Sequence, residues 1–474
     1  MSTAVERPVL GGTDGFRAEA TDQAGPGLMN PETVAGLTWE LISYQRETGY
    51  DGPLVTAQDP RFSGAALREA SIAAALKAGV EVRDAGIVPT PAAQKIAGHL
   101  GAMATVVITA SHNPWQYNGW KGMLGNRKPT EQENKIISDR YWQRVDSGLS
   151  VPSTLDKPHG TERAMWSHWY AGEVERDIVR EFGKLPLAGK LFVIDGAHGA
   201  ARKITNEIFR RLGAQTETFA CDNEGLINDG CGAAELGGLK EFLNYRRDIV
   251  ANPDFVGALA NDGDADRVMG IGIDKNGQPV EFTGNHMMEL MASNPAQPGI
   301  VGTIYTNSGM TGRLKEKGIG FEYCKNGDAF VTNALLAKQA AGENWQRGGE
   351  FTGHIIDTSW LTSGDGVRTA AWLAAYAVQS GQTFGELYQQ MPLWPETMVK
   401  IELPDGMKIN IENSKFVQAA LEKVKSRGVR PIVRASGTEP VIRAWCEAPD
   451  IDLVNDAAME LRTSVAAELM AHAG

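Results

Sequence analysis

Cysteine is scarce in this chain. Cys221, Cys231, Cys324 and Cys446 are the 4 present in 474 residues, and no two form a CxxC pair. That argues against a disulfide framework or a zinc site and fits a reducing compartment. Long hydrophobic runs are missing too. Stretches such as Ala370 to Val378, interrupted by Tyr376, fall far short of the ~20 residues that span a bilayer. Met1 to Arg7 carries no apolar signal core. Positive charge is in deficit, with 46 Lys and Arg against 58 Asp and Glu, a net charge of −12. A general nucleic-acid or anionic-membrane surface is disfavoured, although a locally basic pocket can still hold a small anion. The expectation is a cytoplasmic protein with no nucleic-acid and no membrane partner. No low-complexity segment or short-period repeat is present, and nothing in the sequence fixes an oligomeric state.

What the chain has in excess is glycine, 54 residues, spread as tight loops rather than as a Gly-Ser linker. Its length suggests roughly three or four domains of about 100–150 residues. Strand-like and helix-like stretches alternate: Leu54 to Ala57, then Ala65 to Ala78; Val80 to Asp84; Thr105 to Ile108; a charged helix over Thr130 to Val145. The pattern restarts at Lys190 to Asp195 and again at Gly299 to Thr306, with helices near Gly309 to Lys317 and Ala329 to Gln339. Such alternation predicts α/β domains with mixed sheets. The C-terminal segment differs. Met398 to Leu403, Pro431 to Arg434 and Val441 to Glu447 read as strands. In the last helix Val454, Ala458, Leu461, Val465 and Leu469 form one apolar face. This predicts a smaller α+β domain. Linker-like compositions near 152–160, 274–278 and 392–396 divide the chain into 1–156, 157–275, 276–393 and 394–474.

Five loops carry candidate chemistry. Thr109-Ala110-Ser111-His112-Asn113-Pro114, with Asn118-Gly119-Trp120-Lys121 behind it, presents a serine hydroxyl on a turn at the end of a buried strand. Asn261-Asp262-Gly263-Asp264-Ala265-Asp266-Arg267 also follows a strand, Phe255 to Ala260. Its alternating carboxylates can converge on one hard cation, though a bare run of this kind also describes a solvated acidic turn. An EF-hand fits badly, because Arg267 and Ile273 stand where Gly and Glu are needed. Arg434-Ala435-Ser436-Gly437-Thr438-Glu439-Pro440, followed by Arg443, can surround a phosphate with charge-assisted bonds and backbone amides. Gly349-Glu350-Phe351-Thr352-Gly353-His354 would set a glutamate, a hydroxyl and a histidine on one side if extended, suited to sugar hydroxyls. Gly12-Thr13-Asp14-Gly15-Phe16-Arg17 offers a tight turn and a cation. Alone, the last two also describe bland loops.

Familiar alternatives fail on inspection. Ser111 lacks the flanking glycines of a nucleophile elbow, no GxxxxGK[ST] loop exists, and Gly196-Ala197-His198-Gly199 is not a dinucleotide fingerprint.

Together the five loops resemble the α-D-phosphohexomutase superfamily. Its members carry a TASHNP phosphoserine loop, a DGDxDR metal loop, a GE-containing sugar loop and an RxSGTEPxxR phosphate loop in this order. The resemblance covers nearly the whole chain. Within the superfamily the chain is most similar to the bacterial phosphoglucosamine mutase group, through Gly349 to His354 (GEQSGH in that group), Ser363-Gly364-Asp365-Gly366 (TGDG), Ile227-Asn228 with Cys231-Gly232 (INxxCG) and Gly327 to Val331 (GDRYV). Phe351, Thr352 and Ala233-Ala234-Glu235 depart from that group's pattern, which keeps phosphomannomutase/phosphoglucomutase open. A non-catalytic sugar-phosphate-binding protein is the third reading.

The resemblance implies three similar α/β domains and a smaller C-terminal domain around a central cleft. It implies a phosphoserine at Ser111 and one Mg2+ held by Asp262, Asp264 and Asp266 together with Ser111. Lys121, assisted by Arg17 or His112, becomes the candidate for proton transfer and would need a lowered pKa. Arg267, Glu350, Thr352 and His354 become substrate-binding, and Arg434, Ser436, Gly437, Thr438 and Arg443 phosphate-binding. The implied partners are small hexose or hexosamine phosphates.

Overall fold

The computed structural model describes residues 7–12, 14–222, 225–293, 298–403, 411–435 and 441–473. The chain divides into two compact units, Met1–Tyr305 with Ile319–Gln390, and Thr306–Gly318 with Met391–Gly474.

The first unit holds three five-stranded mixed sheets. The first contains β1 (Phe16–Glu19), β2 (Leu54–Gln58), β3 (Val82–Ile87), β4 (Ala104–Ile108) and β5 (Tyr117–Leu124), in the order β1-β5-β4-β2-β3. The second contains β6 (Leu191–Asp195), β7 (Gln215–Phe219), β8 (Phe255–Asn261), β9 (Val268–Ile273) and β10 (Pro279–Phe282), in the order β10-β9-β8-β6-β7. The third contains β11 (Gly299–Thr303), β12 (Gly320–Cys324), β13 (Arg347–Gly349), β14 (Ile355–Asp357) and β15 (Leu361–Gly364), in the order β12-β11-β13-β14-β15. The three are one topology repeated. In each, three strands run parallel and the third of them pairs with an antiparallel neighbour: β4 with β5, β8 with β9, β13 with β14. Only the far edge differs, because β1 enters before its sheet whereas β10 and β15 follow theirs.

Central strands such as β2, β4, β6 and β8 are buried along their whole length, which suits apolar runs covered on both faces. The helix Glu131–Asp146 begins at a capping box between Thr130 and Glu133. Several elements escaped the sequence reading. The helix Gly366–Ser380 is buried on nearly every side and so shows no polar stripe. Strands β13 to β15 are three or four residues long, too short for an alternation to register.

The second unit is the smaller α+β body that the C-terminal pattern predicts. Strands β16 (Glu396–Glu402), β17 (Arg430–Ala435) and β18 (Val441–Glu447) form an antiparallel sheet in the order β16-β18-β17. The helices Lys415–Ser426 and Ile451–Ala473 share its core. Val454, Ala458, Leu461 and Val465 are buried, and Leu469 packs against that core. The helix Ser308–Glu316, read from sequence order as part of segment 276–393, belongs to this unit. Its first amide, Ser308 N, donates to both carboxylate oxygens of Glu447 at 3.1 Å. Asn307 Nδ2 donates to Trp394 O at 3.0 Å and Glu396 Oε2 at 3.2 Å.

Candidate active site

The repeated topology places three of the candidate loops at one structural position. Each fills the crossing between the third parallel strand and its antiparallel neighbour: the serine loop from β4 to β5, the aspartate loop from β8 to β9, and the Glu350–His354 loop from β13 to β14.

Ser111 is buried and takes a left-handed backbone angle, φ 52°. Its amide donates to Thr109 Oγ1 at 2.9 Å, and its hydroxyl donates to Asp262 Oδ2 at 2.9 Å. That second bond joins the serine loop to the aspartate loop across 151 residues of sequence.

Asp262, Asp264 and Asp266 are buried, and each offers an oxygen lying within 4.8 Å of the others'. Burial and the neighbouring Asp266 and Asp264 carboxylates push Asp262 well above the usual carboxylate range. Asp266 is held well below it; burial opposes this, but Lys121, His354 and Arg267 outweigh burial. Asp264 Oδ1 and Asp266 Oδ1 are buried with no hydrogen-bond partner among the described residues. Three crowded carboxylates, two of them with a bare oxygen and all hard donors, fit a divalent cation.

The cations gather on the same side. Lys121 Nζ lies 2.7 Å from Asp264 Oδ2, 3.1 Å from Asp266 Oδ2 and 3.4 Å from Asp14 Oδ1. The sequence reading asks for a lowered lysine pKa, and here it is raised. Burial alone would lower it, but the Asp264 and Asp266 carboxylates more than offset burial. His112 moves the other way. Burial, then Arg267 and Arg17, bring its pKa down to about 3, so the ring is neutral near pH 7. Its Nδ1 lies 3.4 Å from Ser111 Oγ. Arg17 pairs with Asp14, and Arg267 N donates to Asp262 Oδ1 at 3.2 Å.

Comparison with known proteins gives this constellation a family. Residues 9–144, 283–393 and 398–464 match the phosphoglucomutase/phosphomannomutase models for α/β/α domain I, α/β/α domain III and the C-terminal domain. Phosphoglucosamine mutase of Hydrogenovibrio crunogenus is 32% identical over 449 residues, covering 94% of this chain and 95% of its own. That of Streptomyces griseus is 32% identical over 460 residues, with shares of 94% and 95%. The chain belongs to the phosphoglucomutase/phosphomannomutase family. It is a hexose phosphate mutase of the α-D-phosphohexomutase superfamily. The fold agrees. A phosphoglucomutase/phosphomannomutase family protein from Burkholderia thailandensis superposes with a TM-score of 0.75 at 21% identity, over 97% of each chain. N-acetylphosphoglucosamine mutase of Aspergillus fumigatus, solved with GlcNAc-6P and magnesium, gives 0.60 at 18% identity over 90% of this chain and 79% of its own.

The remaining sequence candidates of the mutase fall in two places. His354 and Glu350 adjoin the site. His354 Nε2 is 3.4 Å from Asp328 Oδ2 and its Nδ1 is 3.7 Å from Glu350 Oε2, while Gly327 N donates to Glu350 Oε1 at 3.1 Å. Thr352 is half-buried on the same loop, and the Phe351 ring lies 6.2 Å from that of Tyr305. In the second unit Arg434 and Arg443 are register partners on β17 and β18 and so share one face of that sheet. Ser436, Gly437 and Thr438 lie outside the described residues, as does Thr13.

Four residues of the site were given no role in the sequence reading. Arg61, with its side chain fully buried, bonds to Asp59 and donates to carbonyls of the serine loop. Asn228 donates to two of the same carbonyls. Lys128 pairs with Asp14 at 2.8 Å and also with Asp328. Burial raises Asp328, but Lys128 and His354 bring it down to about 2. For Arg61 the available signal was a charged Asp59-Pro60-Arg61 directly after buried β2, since such charges need buried partners; Asn228 and Asp328 stood inside the INxxCG and GDRYV matches.

Proposed function

We propose that the enzyme interconverts glucosamine 6-phosphate and glucosamine 1-phosphate in the cytoplasm, by way of a phosphoserine at Ser111 and a sugar bisphosphate. The observation that carries the chemistry is the buried bond from Ser111 Oγ to Asp262, at the mouth of a carboxylate triad with two bare oxygens. The substrate rests on relatives that are phosphoglucosamine mutases at 32% identity over nearly the whole chain.

Ser111 Oγ carries the phosphoryl group at rest. The sugar's free hydroxyl oxygen attacks phosphorus, the bond from phosphorus to Oγ breaks, and by way of Lys121, with Arg17 and His112 beside it, one proton reaches the departing Oγ as the hydroxyl gives one up. Lys121 is an ammonium in the present arrangement, ready to donate; accepting a proton requires Asp264 and Asp266 to turn to another partner. Mg2+ bound by Asp262, Asp264, Asp266 and the Ser111 phosphate would neutralise charge on the transferring oxygens. Arg267, Glu350, Thr352 and His354 orient the ring. Arg434, Ser436, Gly437, Thr438 and Arg443 grip the sugar's other phosphate, so much of the rate comes from positioning. In this reading segments 1–156, 157–275, 276–393 and 394–474 supply the serine, the carboxylates, the sugar loop and the phosphate grip.

The test is a mutase assay on glucosamine, mannose and glucose 6-phosphates. Glucosamine should give the highest kcat/KM. Comparable or higher values for mannose or glucose would replace the assignment with a phosphomannomutase/phosphoglucomutase. Full activity in Ser111→Ala would overturn the phosphoserine.

A further inference from the structure

Ser111 sits at φ 52°, a left-handed angle that strains an L-residue, and neighbouring side chains hold both of its peptide groups. On the amide side, Ser111 N donates to Thr109 Oγ1, and Thr109 Oγ1 donates to Asp59 Oδ2 at 2.6 Å. On the carbonyl side two donors converge. Arg61 Nη2 reaches Ser111 O at 2.9 Å and Asn113 O at 2.8 Å. Asn228 Nδ2 reaches the same two oxygens at 2.7 and 3.1 Å. Arg61 also holds Tyr117 O at 2.7 Å and Pro114 O, and its Nε returns to Asp59 Oδ2 at 3.0 Å. The ring of bonds Asp59, Thr109, Ser111, Arg61 therefore closes on itself.

The donors come from separate parts of the chain. Arg61 follows β2 in the first sheet, and Asn228 lies in the connection after β7 of the second, itself left-handed at φ 60°. The Arg61 side chain has no exposed surface, so it does not touch a sugar. What it controls is the orientation of the peptide that follows Ser111, and through it the direction of Oγ.

We propose that Arg61 and Asn228 are positioning residues for phosphoryl transfer: they lock the strained Ser111 backbone so that Oγ returns to one place each time it gives up and reclaims phosphate. This rests on the reading of Ser111 as the phosphate carrier. Misplacement of a reacting group by about 1 Å can cost 10²-fold. The clamp should therefore act on kcat and leave KM alone.

Asn228→Gly is the cleaner variant, because glycine takes φ 60° without strain and only the amide is lost. It should lower kcat about 10- to 100-fold, with KM for the hexose phosphate within about twofold. Uptake of phosphate by Ser111 from glucose 1,6-bisphosphate, followed by intact mass, should slow by a similar factor. Asn228→Asp sets a carboxylate against the two carbonyls and should be slower still. Arg61→Lys should lower kcat in the same way; if it fails to fold, the Asn228 pair decides. Unchanged kcat in Asn228→Gly, or a KM that rises in step with the fall in kcat, overturns the clamp. A wild-type enzyme that takes no phosphate on Ser111 overturns the phosphoserine reading and the clamp together. A labelled wild type beside an equally fast Asn228→Gly overturns the clamp alone.

Discussion

Ser111 and Ala265 lie in loops that hold matching places in two sheets of one topology, and both adopt left-handed angles, φ 52° and 57°. Their loops are secured by different means. In the serine loop Ser111 O and Asn113 O accept from side chains, Arg61 and Asn228, while Ala110 O and Pro114 O also take backbone amides of the loop itself. At the centre of the aspartate loop three carbonyls accept from backbone amides instead: Gly263 O from Ala200 N at 2.8 Å, Asp264 O from Thr90 N at 3.0 Å, and Ala265 O from Gly366 N at 3.0 Å; at its end Arg267 O accepts from the Asn261 side chain at 3.1 Å. An internal bond from Ala265 N to Asp262 O at 3.0 Å closes the turn. The difference follows from what each loop carries. Three carboxylates crowd one another, and Lys121 is already committed to the Oδ2 atoms of Asp264 and Asp266. Neutral amides can fix that backbone without competing for charge. The serine loop has no Asp, Glu, Lys or Arg among residues 109–114, so a buried guanidinium can serve as the anchor of its backbone.

Ser111→Ala gives the largest expected effect, a loss of more than about 10³-fold in kcat, because it removes the atom that exchanges phosphate in the proposed reaction. Next comes the triad. Asp264→Asn should cut activity by at least about 10²-fold. Chelation of divalent cations should do the same to the wild type, and restored Mg2+ should recover it. Calorimetric titration of Mg2+ should show weaker binding in the variant. Unchanged binding would mean that the bare oxygens of the triad do not receive the ion.

A subtler variant tests the contrast in anchoring. A Cβ on Gly366 would lie 2.1 Å from Arg267 O and 3.0 Å from Ala265 O, both backbone atoms unable to swing aside. Gly366→Ala should therefore displace the aspartate loop, cost about 1–3 kcal/mol in urea unfolding and weaken Mg2+ binding. Thr90→Val removes only the 2.6 Å bond from Thr90 Oγ1 to Asp264 Oδ2 and keeps the amide anchor, so its effect on kcat should be several-fold smaller. If Thr90→Val is the worse of the two, side chains hold this loop after all.

The same contrast explains what the sequence made legible. The chemistry-bearing letters stood out because nucleophile, carboxylates and arginines sit on loops between buried strands, and the family resemblance ordered them. Their supports did not. Amide anchors leave no letter beyond a glycine such as Gly366. Arg61 and Asn228 are visible as residues, but their partners lie 50 and 117 positions away, and no local pattern encodes that pairing. The requirement for a lowered Lys121 pKa missed for a related reason: Asp264 and Asp266 approach it from 143 and 145 residues downstream. Fold elements followed the same rule. Amphipathic stretches such as 130–145 and the last helix read correctly, whereas the buried helix Gly366–Ser380 presented no contrast to read.

Asp195 supports both kinds of anchor at once, and it carries the smallest prediction. It is wholly buried at the end of β6, accepting from Ala197 N and Gly232 N at 2.8 Å each. Ala197 O in turn accepts from Asn228 N at 3.0 Å, and three residues beyond Ala197 stands Ala200, which anchors Gly263. Burial pushes the Asp195 carboxyl up to about 7, against the pull of its two amide bonds. Its titratable neighbours Cys221 and Cys231 are thiols pushed up by burial and stay neutral through this range. In the unfolded chain an aspartate titrates near 3.9. Between about pH 4 and 7 the unfolded chain loses this proton before the fold does, so the folded state binds more protons and stability falls as pH rises. The slope from this one group is at most about 1.4 kcal/mol per pH unit and levels off above pH 7. Asp195→Asn abolishes that slope but turns an amide donor toward a backbone N–H, a cost of about 1–3 kcal/mol. Urea unfolding at pH 5, 6, 7 and 8 should therefore show the wild type losing stability relative to the variant as pH rises, with the change fading as pH passes about 7. A gap independent of pH would mean that Asp195 is ionised throughout, and that two amides suffice to hold a buried charge beneath both loops.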